Sequence, residues 1–491
     1  MTVINHKRQQ AVRDAMSHAW KGYVDYAYGK DELQPVSKTS NKRWGDWAIT
    51  LVDSLDSLRL MDLESEYLEA KEFVRTLDFT RTPEGHQLQV FEMTIRALGG
   101  LLGAYELDED PMLLKKAKEV GDILAIAYEN SATGLPASSL DVNGRKPVPG
   151  TTLCIAEAGT VQLEFKKLSQ RTGDPKYHKL AEGATEALEN AERPLKGLYP
   201  AFINTADGKY NLMTSITMGA YADSFYEYQL KQYILHDKQE KKFKDRYVTS
   251  TEAVKEHLVA KSDDGITYLG RWEYNMTVFY SEMEHLACFY PGVLALGAQV
   301  LDRPQDLLVA EELARTCYLS YNVMPTGLGP DKFSLRSKNK AKSPTVPADD
   351  DDDDEFLREK NARSAMNKYG ILPVDPRYVL RPETVESLFV LYRVTGDPKY
   401  QEWGWEIFNA IEKYTKIEAG YAAYNNVYDI NTSYNHMDSM ESFFLAETLK
   451  YLYLLFSPTD LLPLDEYVFN TEAHPFKIIK APEEPIKDAV E

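Results

Sequence analysis

The chain has 491 residues, 43% hydrophobic and 27% charged, and carries a formal net charge of -20. That length exceeds one ordinary core and asks for two or three domains or one large repetitive architecture, while the charge argues against nucleic acid or an anionic membrane as partner, since both need a basic footprint. No apolar run approaches the roughly 20 residues that span a bilayer, and Cys154, Cys288 and Cys317 lack the spacing of a zinc site.

In chain order, apolar residues recur at helical spacing over 47–60, 91–107, 156–168, 221–235, 286–300, 382–394 and 440–456. The string Thr172-Gly-Asp-Pro-Lys-Tyr177 returns letter for letter at Thr395-Gly-Asp-Pro-Lys-Tyr400, with a weaker copy at Asp110-Pro111, each between two helices. Turns at such intervals read as the elbows of successive helix hairpins. The first helix of each pair is apolar and the second (177–188, 400–414) amphipathic, which suggests an all-α closed barrel with buried inner and half-exposed outer helices; an open solenoid is the alternative. Gly-rich turns at 197–208 and 327–330 are expected to form a small β element at one rim. The tract 336–361, three spaced lysines followed by the aspartate run 349–354, reads as a solvated flexible loop rather than a calcium site. Sequons begin at Asn275 and Asn431 and permit glycosylation.

Acids recur inside these apolar helices, where packing excludes unpaired charge. Glu92 and Arg96 are four apart and share a face, as do Glu157 and Glu164, seven apart. Asp223 opens one apolar stretch. Pro382 suits a first helical position, and Glu383 and Glu386 follow it near the positive end of the helix dipole. Phe443 stands one turn before Glu447, and His285 follows Glu284. Each has an ordinary structural explanation, but if the inner helices form a ring these carboxylates converge on one cavity that needs protons, a cation or a polyol. Glycoside hydrolysis uses such a set, one carboxylic acid to protonate the leaving oxygen and one carboxylate to activate water or attack carbon. GxSxG, HExxH, P-loop and dinucleotide signatures are absent from the sequence.

The blocks Phe91-Glu-Met-Thr-Ile-Arg96, Asp223-Ser-Phe-Tyr-Glu-Tyr228, His285-Leu-Ala-Cys-Phe-Tyr-Pro-Gly292, Leu380-Arg-Pro-Glu-Thr-Val-Glu-Ser-Leu-Phe389, Asp438-Ser-Met-Glu-Ser-Phe-Phe444 and Val468-Phe-Asn-Thr-Glu-Ala-His-Pro475 resemble the class I α-1,2-mannosidases, glycoside hydrolase family 47. The resemblance implies an (αα)7 barrel as a single catalytic domain over 1–491, a bound Ca2+, and inverting hydrolysis of terminal α-1,2-linked mannose from high-mannose N-glycans on glycoproteins. It implies Thr471 as the direct calcium ligand, with Glu386, Glu447 and Glu472 acting through water. Glu92, Asp223 and Glu383 match the catalytic acids: Glu383 as base on a calcium-held water, and either Glu92 or Asp223 as acid. Arg96, Glu157, His285, Arg381, Phe443 and Tyr221 are expected at the sugar. Tyr221 departs from the family pattern, where ER-type members carry Arg and Golgi-type members Leu, so branch preference is open. Cys288 and Cys317 match the paired cysteines, which implies an oxidising compartment, the ER or Golgi lumen. A monomer is expected, touching a membrane only through an N-terminal anchor not present in this chain. The alternatives are a trimming or lectin-like factor of ER-associated degradation and a non-catalytic scaffold that binds glycans or peptides.

Overall fold

The two copies of Thr-Gly-Asp-Pro-Lys-Tyr do the same structural work. In a computed structural model that describes residues 2–337 and 368–480, the helix Gln162–Thr172 stops at Gly173 (φ 72°) and Glu383–Thr395 stops at Gly396 (φ 70°), a left-handed position that glycine takes without strain. Asp174 and Asp397 then accept the backbone N–H of Lys176 and Lys399, each at 2.9 Å, and start the return helices Lys176–Asn190 and Lys399–Tyr414. The repeat's tyrosine fastens the return helix to the preceding outer one: the Tyr177 hydroxyl donates to Asp122 at 2.6 Å and that of Tyr400 to Glu311 at 3.2 Å.

Among the described residues this hairpin unit recurs around a ring. The inner positions are Leu55–Leu60, Gly99–Asp108, Gln162–Thr172, Asp223–Leu235, Tyr290–Leu301, Glu383–Thr395 and Leu449–Phe456; the outer ones are Val3–Ala27, Glu64–Thr76, Pro111–Ala125, Lys176–Asn190, Lys241–His257, Pro304–Asn322 and Lys399–Tyr414. Inner helices are buried nearly all round, with only Asp223 and Tyr233 of Asp223–Leu235 less than fully buried. Outer helices bury one stripe, such as Tyr400, Ile407, Phe408 and Ile411, each worth ~1.5–3 kcal/mol of apolar burial. The ring closes rather than continuing as a solenoid. Val3–Ala27 packs on Leu449–Phe456, and Arg8 forks onto Glu402 at 2.8 and 2.7 Å. Cys288 and Cys317 are bonded, linking an inner to an outer element.

Because each outer helix returns the chain, the inner helices all start at one end. That end carries the short strands: Thr152–Cys154 pairs with Phe202–Asn204, and Glu282–Glu284, Lys332–Leu335 and Ile371–Asp375 form an antiparallel sheet. The expected rim element is present, shifted by a few residues from the turns that announced it. From the opposite end a hairpin, Tyr467–Phe469 with Pro475–Lys477, packs on Asp223–Leu235 and Gly99–Asp108 and carries its turn, 470–474, into the barrel. Five expected helices are irregular. That over 156–168 breaks at Thr160 and Val161, and that over 286–300 opens with the 3-10 segment His285–Phe289. That over 47–60 breaks at Ser54; those over 91–107 and 440–456 contain π-helical turns at Thr94–Leu98 and Phe444–Thr448. The 336–361 tract lies, from residue 338 on, outside the described residues.

Candidate active site

The turn 470–474 is shaped from within. Asn470 Oδ1 accepts the backbone N–H groups of Glu472 (3.0 Å) and His474 (2.8 Å), while its amide donates to Ile95 O and to Glu164. Tyr228 donates to Glu164 at 2.6 Å and accepts the N–H of Thr471 at 3.2 Å. Room for the turn comes from two glycines one helical turn apart: a Cβ on Gly99 would lie 2.6 Å from Asn470 Nδ2, and one on Gly103 would lie 2.7 Å from Asp56 Oδ2. Thr471 is thereby presented to a cleft whose wall includes all three candidate catalytic acids, Glu92, Asp223 and Glu383.

Glu383 and Asp223 each open an inner helix and differ sharply in electrostatics. Burial alone would raise Glu383, but the hydrogen bond and charge of His285, with the charge of Arg381, outweigh it and hold the carboxyl below its ordinary value. His285 Nδ1 lies 2.7 Å from Glu383 Oε2, and a carboxylate only accepts, so Nδ1 donates; on the other side of the ring Nε2 lies 2.6 Å from the Tyr321 hydroxyl. Asp223 has no such partner among the described residues. Burial pushes it up to about 7, opposed by the Ser224 N–H and reinforced by the charges of Glu383, Glu227 and Glu284. At neutral pH one carboxyl of the cleft is ionised and a second is poised to hold its proton.

Deeper in the wall lie Glu386, Glu447 and Glu472. Burial, and next the charge of Glu227, raise Glu386 well above the usual range; burial, then Glu472 and Glu383, do the same for Glu447; Glu472 is raised by burial and by Asp53 against the pull of Arg96. The nearby cations are Arg96, 2.8 Å from Glu472, and Lys231, which bonds Glu227 and stands 3.9 Å from Glu386. Acids outnumber cations, so the donor set suits a hard dication that binds oxygen. Among the described residues no three His, Cys, Asp or Glu side chains stand close enough to grip an ion directly.

Of the remaining expected residues, Arg96, Glu157, Arg381, Phe443 and Tyr221 line the same cleft. Glu157 also caps its helix, its Oε2 accepting the Cys154 N–H at 3.0 Å. Arg381 is fixed by Asp331 at 2.5 Å, and the guanidinium of Arg96 lies 5.6 Å over the Phe443 ring. Tyr221 is 58% exposed at the rim with φ 73° and packs on Phe202 at 5.0 Å. One expectation needs correction: His285, placed among sugar contacts, is 1% exposed, absent from the cleft wall, and touches Glu383 from behind. Sequence reasoning missed Asp53, Asp56, Ser442 and His474, which lie beneath Arg96. Burial opposes charge on His474, but Asp56 and Asp53 outweigh it and hold the imidazole above its usual value. Two aspartates inside the apolar stretch 47–60 were the available signal.

An α/α barrel whose inner-helix starts gather carboxyls of opposed protonation in one deep cleft defines the frame of a glycan-processing hydrolase. Residues 15–478 match the Glycosyl hydrolase family 47 profile, and the chain belongs to that family. It is 41% identical over 487 residues to "Mannosyl-oligosaccharide 1,2-alpha-mannosidase MNS1" of Arabidopsis thaliana, covering 97% of this chain and 80% of that one. It is 40% identical over 478 residues to the human "Endoplasmic reticulum mannosyl-oligosaccharide 1,2-alpha-mannosidase", covering 96% of this chain and 64% of that protein. The solved "alpha-1,2-mannosidase from Trichoderma reesei" superposes with a TM-score of 0.88 at 30% identity, covering 96% of this chain and 99% of the other.

Proposed function

We propose that this chain is a calcium-dependent, inverting α-1,2-mannosidase that removes terminal mannose from high-mannose N-glycans in the lumen of the secretory pathway. The observation that carries the reading is the pair Glu383 and Asp223: in a family 47 chain, one cleft holds an ionised carboxylate and a carboxyl pushed up to about 7. Those are the two protonation states that inversion requires.

In this mechanism Glu383, steadied by His285, takes a proton from the attacking water as its oxygen bonds to the anomeric carbon. Asp223 gives its proton to the departing glycosidic oxygen as the old C–O bond breaks, so the products are β-mannose and a shortened glycan. Asp223 is the better acid candidate than Glu92, because Glu92 is engaged by the Arg96 guanidinium at 2.8 Å. Glu92 and Arg96 then serve the charge that develops on the sugar ring, with Phe443 beneath it. Thr471, with Glu386, Glu447 and Glu472 acting through water, would hold calcium, whose hard positive charge would offset the buried acids and polarise nearby oxygens.

The secretory-pathway assignment is supported by the Cys288–Cys317 bond and by the printed name of the human relative. Among the described residues no helix is long and apolar enough to cross a membrane. The test is proton NMR of mannose released from α-1,2-linked mannobiose and from a high-mannose glycan. Initial formation of β-mannose, lost on chelation and on Glu383→Gln, is expected; α-mannose as first product, or undiminished activity in Glu383→Gln, would overturn the mechanism. A wild type that binds glycan without releasing mannose would favour a binding scaffold.

A further inference from the structure

Beneath the cleft runs a continuous buried chain of charged and polar side chains that starts outside the groups the mechanism uses and ends on Arg96, Glu92 and Glu472. Lys450 Nζ meets Asp56 Oδ1 at 2.8 Å, and Asp56 Oδ2 meets His474 Nδ1 at 2.8 Å. His474 Nε2 meets Asp53 Oδ1 at 2.9 Å, and Asp53 Oδ2 accepts the Ser442 hydroxyl at 2.5 Å. Ser442 Oγ in turn accepts from Arg96 Nη1 at 2.8 Å, the same nitrogen that reaches Glu472 at 2.8 Å, while Arg96 Nε reaches Glu92 at 2.8 Å. Asp53, Ser442 and His474 are fully buried.

The chain joins four separate pieces of sequence. Asp53 and Asp56 come from the two sides of the break at Ser54, Arg96 from the π-helical turn Thr94–Leu98, Ser442 from the segment just before Phe443, and His474 from the turn that presents Thr471. Such turns widen a helix locally and are common at functional sites; here one sets Arg96 where it can hold Glu92 on one nitrogen and Glu472 on another. A guanidinium has a rigid planar fork, so fixing one edge fixes the other. The rings of Phe443 and Trp44 offer it only their faces. Asp53 and Ser442 supply the stop from below.

We propose that Asp53, acting through Ser442, is a positioning residue that locks Arg96 and so holds Glu92 and the 470–474 turn in a fixed relation. Asp53 is fully buried and absent from the cleft wall; it makes the acid side of the cleft and the 470–474 turn a single unit through Arg96 and His474. The inference rests on the mannosidase reading and goes beyond it by naming what keeps the two halves of the site in register.

The test uses the full chain with Asp53→Asn, which keeps shape and an acceptor oxygen but removes the charge, and Ser442→Ala, which removes the link alone. Partners that orient ligands around a metal site typically carry ~10–100-fold of activity or affinity. For both variants kcat is expected to fall by ~10–100-fold with KM near that of wild type, and calcium affinity, read by isothermal titration of the metal alone, to weaken. In a double-mutant cycle, Ser442→Ala added to Glu92→Gln should cost much less than in the wild-type background. Additive losses in the cycle, or loss of activity only in proportion to lost folded protein by circular dichroism, would overturn the positioning role. Full activity and unchanged calcium affinity in Ser442→Ala would do so too, even were Asp53→Asn unable to fold. In either case a wild type that still releases mannose leaves the mannosidase reading intact, whereas an inactive wild type removes both.

Discussion

Replacing Asp223 by Asn tests the central electrostatic claim through stability as well as rate. In the folded chain the Asp223 carboxyl moves from 3.8 to about 7, with burial as the main cause. Between those values the unfolded chain has lost the proton and the folded chain keeps it, so the native state binds more protons and stability falls as pH rises; above about 7 the loss is complete. The displacement corresponds to about 4 kcal/mol, an upper figure for a fully buried group. The amide in Asp223→Asn does not titrate, and its oxygen can still accept the Ser224 N–H that Asp223 accepts at 2.8 Å. Urea unfolding of both proteins in EDTA from pH 4 to 8 is therefore expected to diverge, Asp223→Asn gaining up to about 4 kcal/mol over wild type by pH 8 and nothing near pH 4. The same substitution should lower kcat on oligomannose by ~10²–10⁴-fold and remove the alkaline limb of the pH–rate profile. Activity on α-mannosyl fluoride, whose leaving group needs no proton, should suffer far less. Parallel stability curves, or an alkaline limb that persists in Asp223→Asn and vanishes in Glu92→Gln, would refute the assignment.

His285→Phe removes the donor that holds Glu383 down; the Glu383 carboxyl should rise, and the acid limb of the kcat/KM profile should move to higher pH, which a titration of rate against pH will show. The Cys288–Cys317 bond closes a 29-residue separation, so Cys317→Ala should lower unfolding free energy by about 3–4 kcal/mol in denaturant titration, with Cys154 unaffected as a buried thiol. Tyr221→Ala at the exposed rim should raise KM for branched high-mannose glycan while leaving kcat and the KM for α-1,2-mannobiose near wild type, measured by mannose release from each.

The barrel was legible because its punctuation is local: the Gly of each Thr-Gly-Asp-Pro-Lys-Tyr elbow ends a helix, and the Asp starts the next, within six residues. Candidate site residues were legible where an acid interrupts an apolar helix, as at Glu92, Asp223 and Glu383. What stayed hidden depends on contacts far apart in sequence. The π-helical turns at Arg96 and Glu447 leave no mark in a pattern of period 3.6, since widening by one residue changes facing rather than composition. The partners of His285 could not be read locally, since Tyr321 and Glu383 are 36 and 98 residues away. The entry of the 470–474 turn from the far end rests on Gly99 and Gly103, whose need to lack a side chain appears only once Asn470 and Asp56 are beside them.

The shared direction of the inner helices explains why so many acids are tolerated together. Asp223 and Glu383 stand in the first turns of inner helices, and Glu92 and Glu157 in the first turns of the short helices Val90–Met93 and Ile155–Gly159 that lead into two others; all four line the cleft. Each start presents backbone N–H groups and the positive end of a dipole, an effect worth ~0.3–1 kcal/mol per anion and more when partly buried. In an antiparallel bundle alternate helices would cancel; a ring of hairpins aligns them, so the topology itself gathers partial positive charge where the acids sit. That bias is modest and diffuse. It relieves the acids at the mouth but does not reach Glu447 and Glu472 deeper down, and it does not choose which carboxyl keeps its proton. Those two tasks fall to specific partners: Arg96 for Glu472 on the floor, where the proposed calcium would add its charge, and His285 with Arg381 for Glu383. Asp223, with no such pair among the described residues, is left as the one of the three candidate catalytic acids that burial pushes up to about 7.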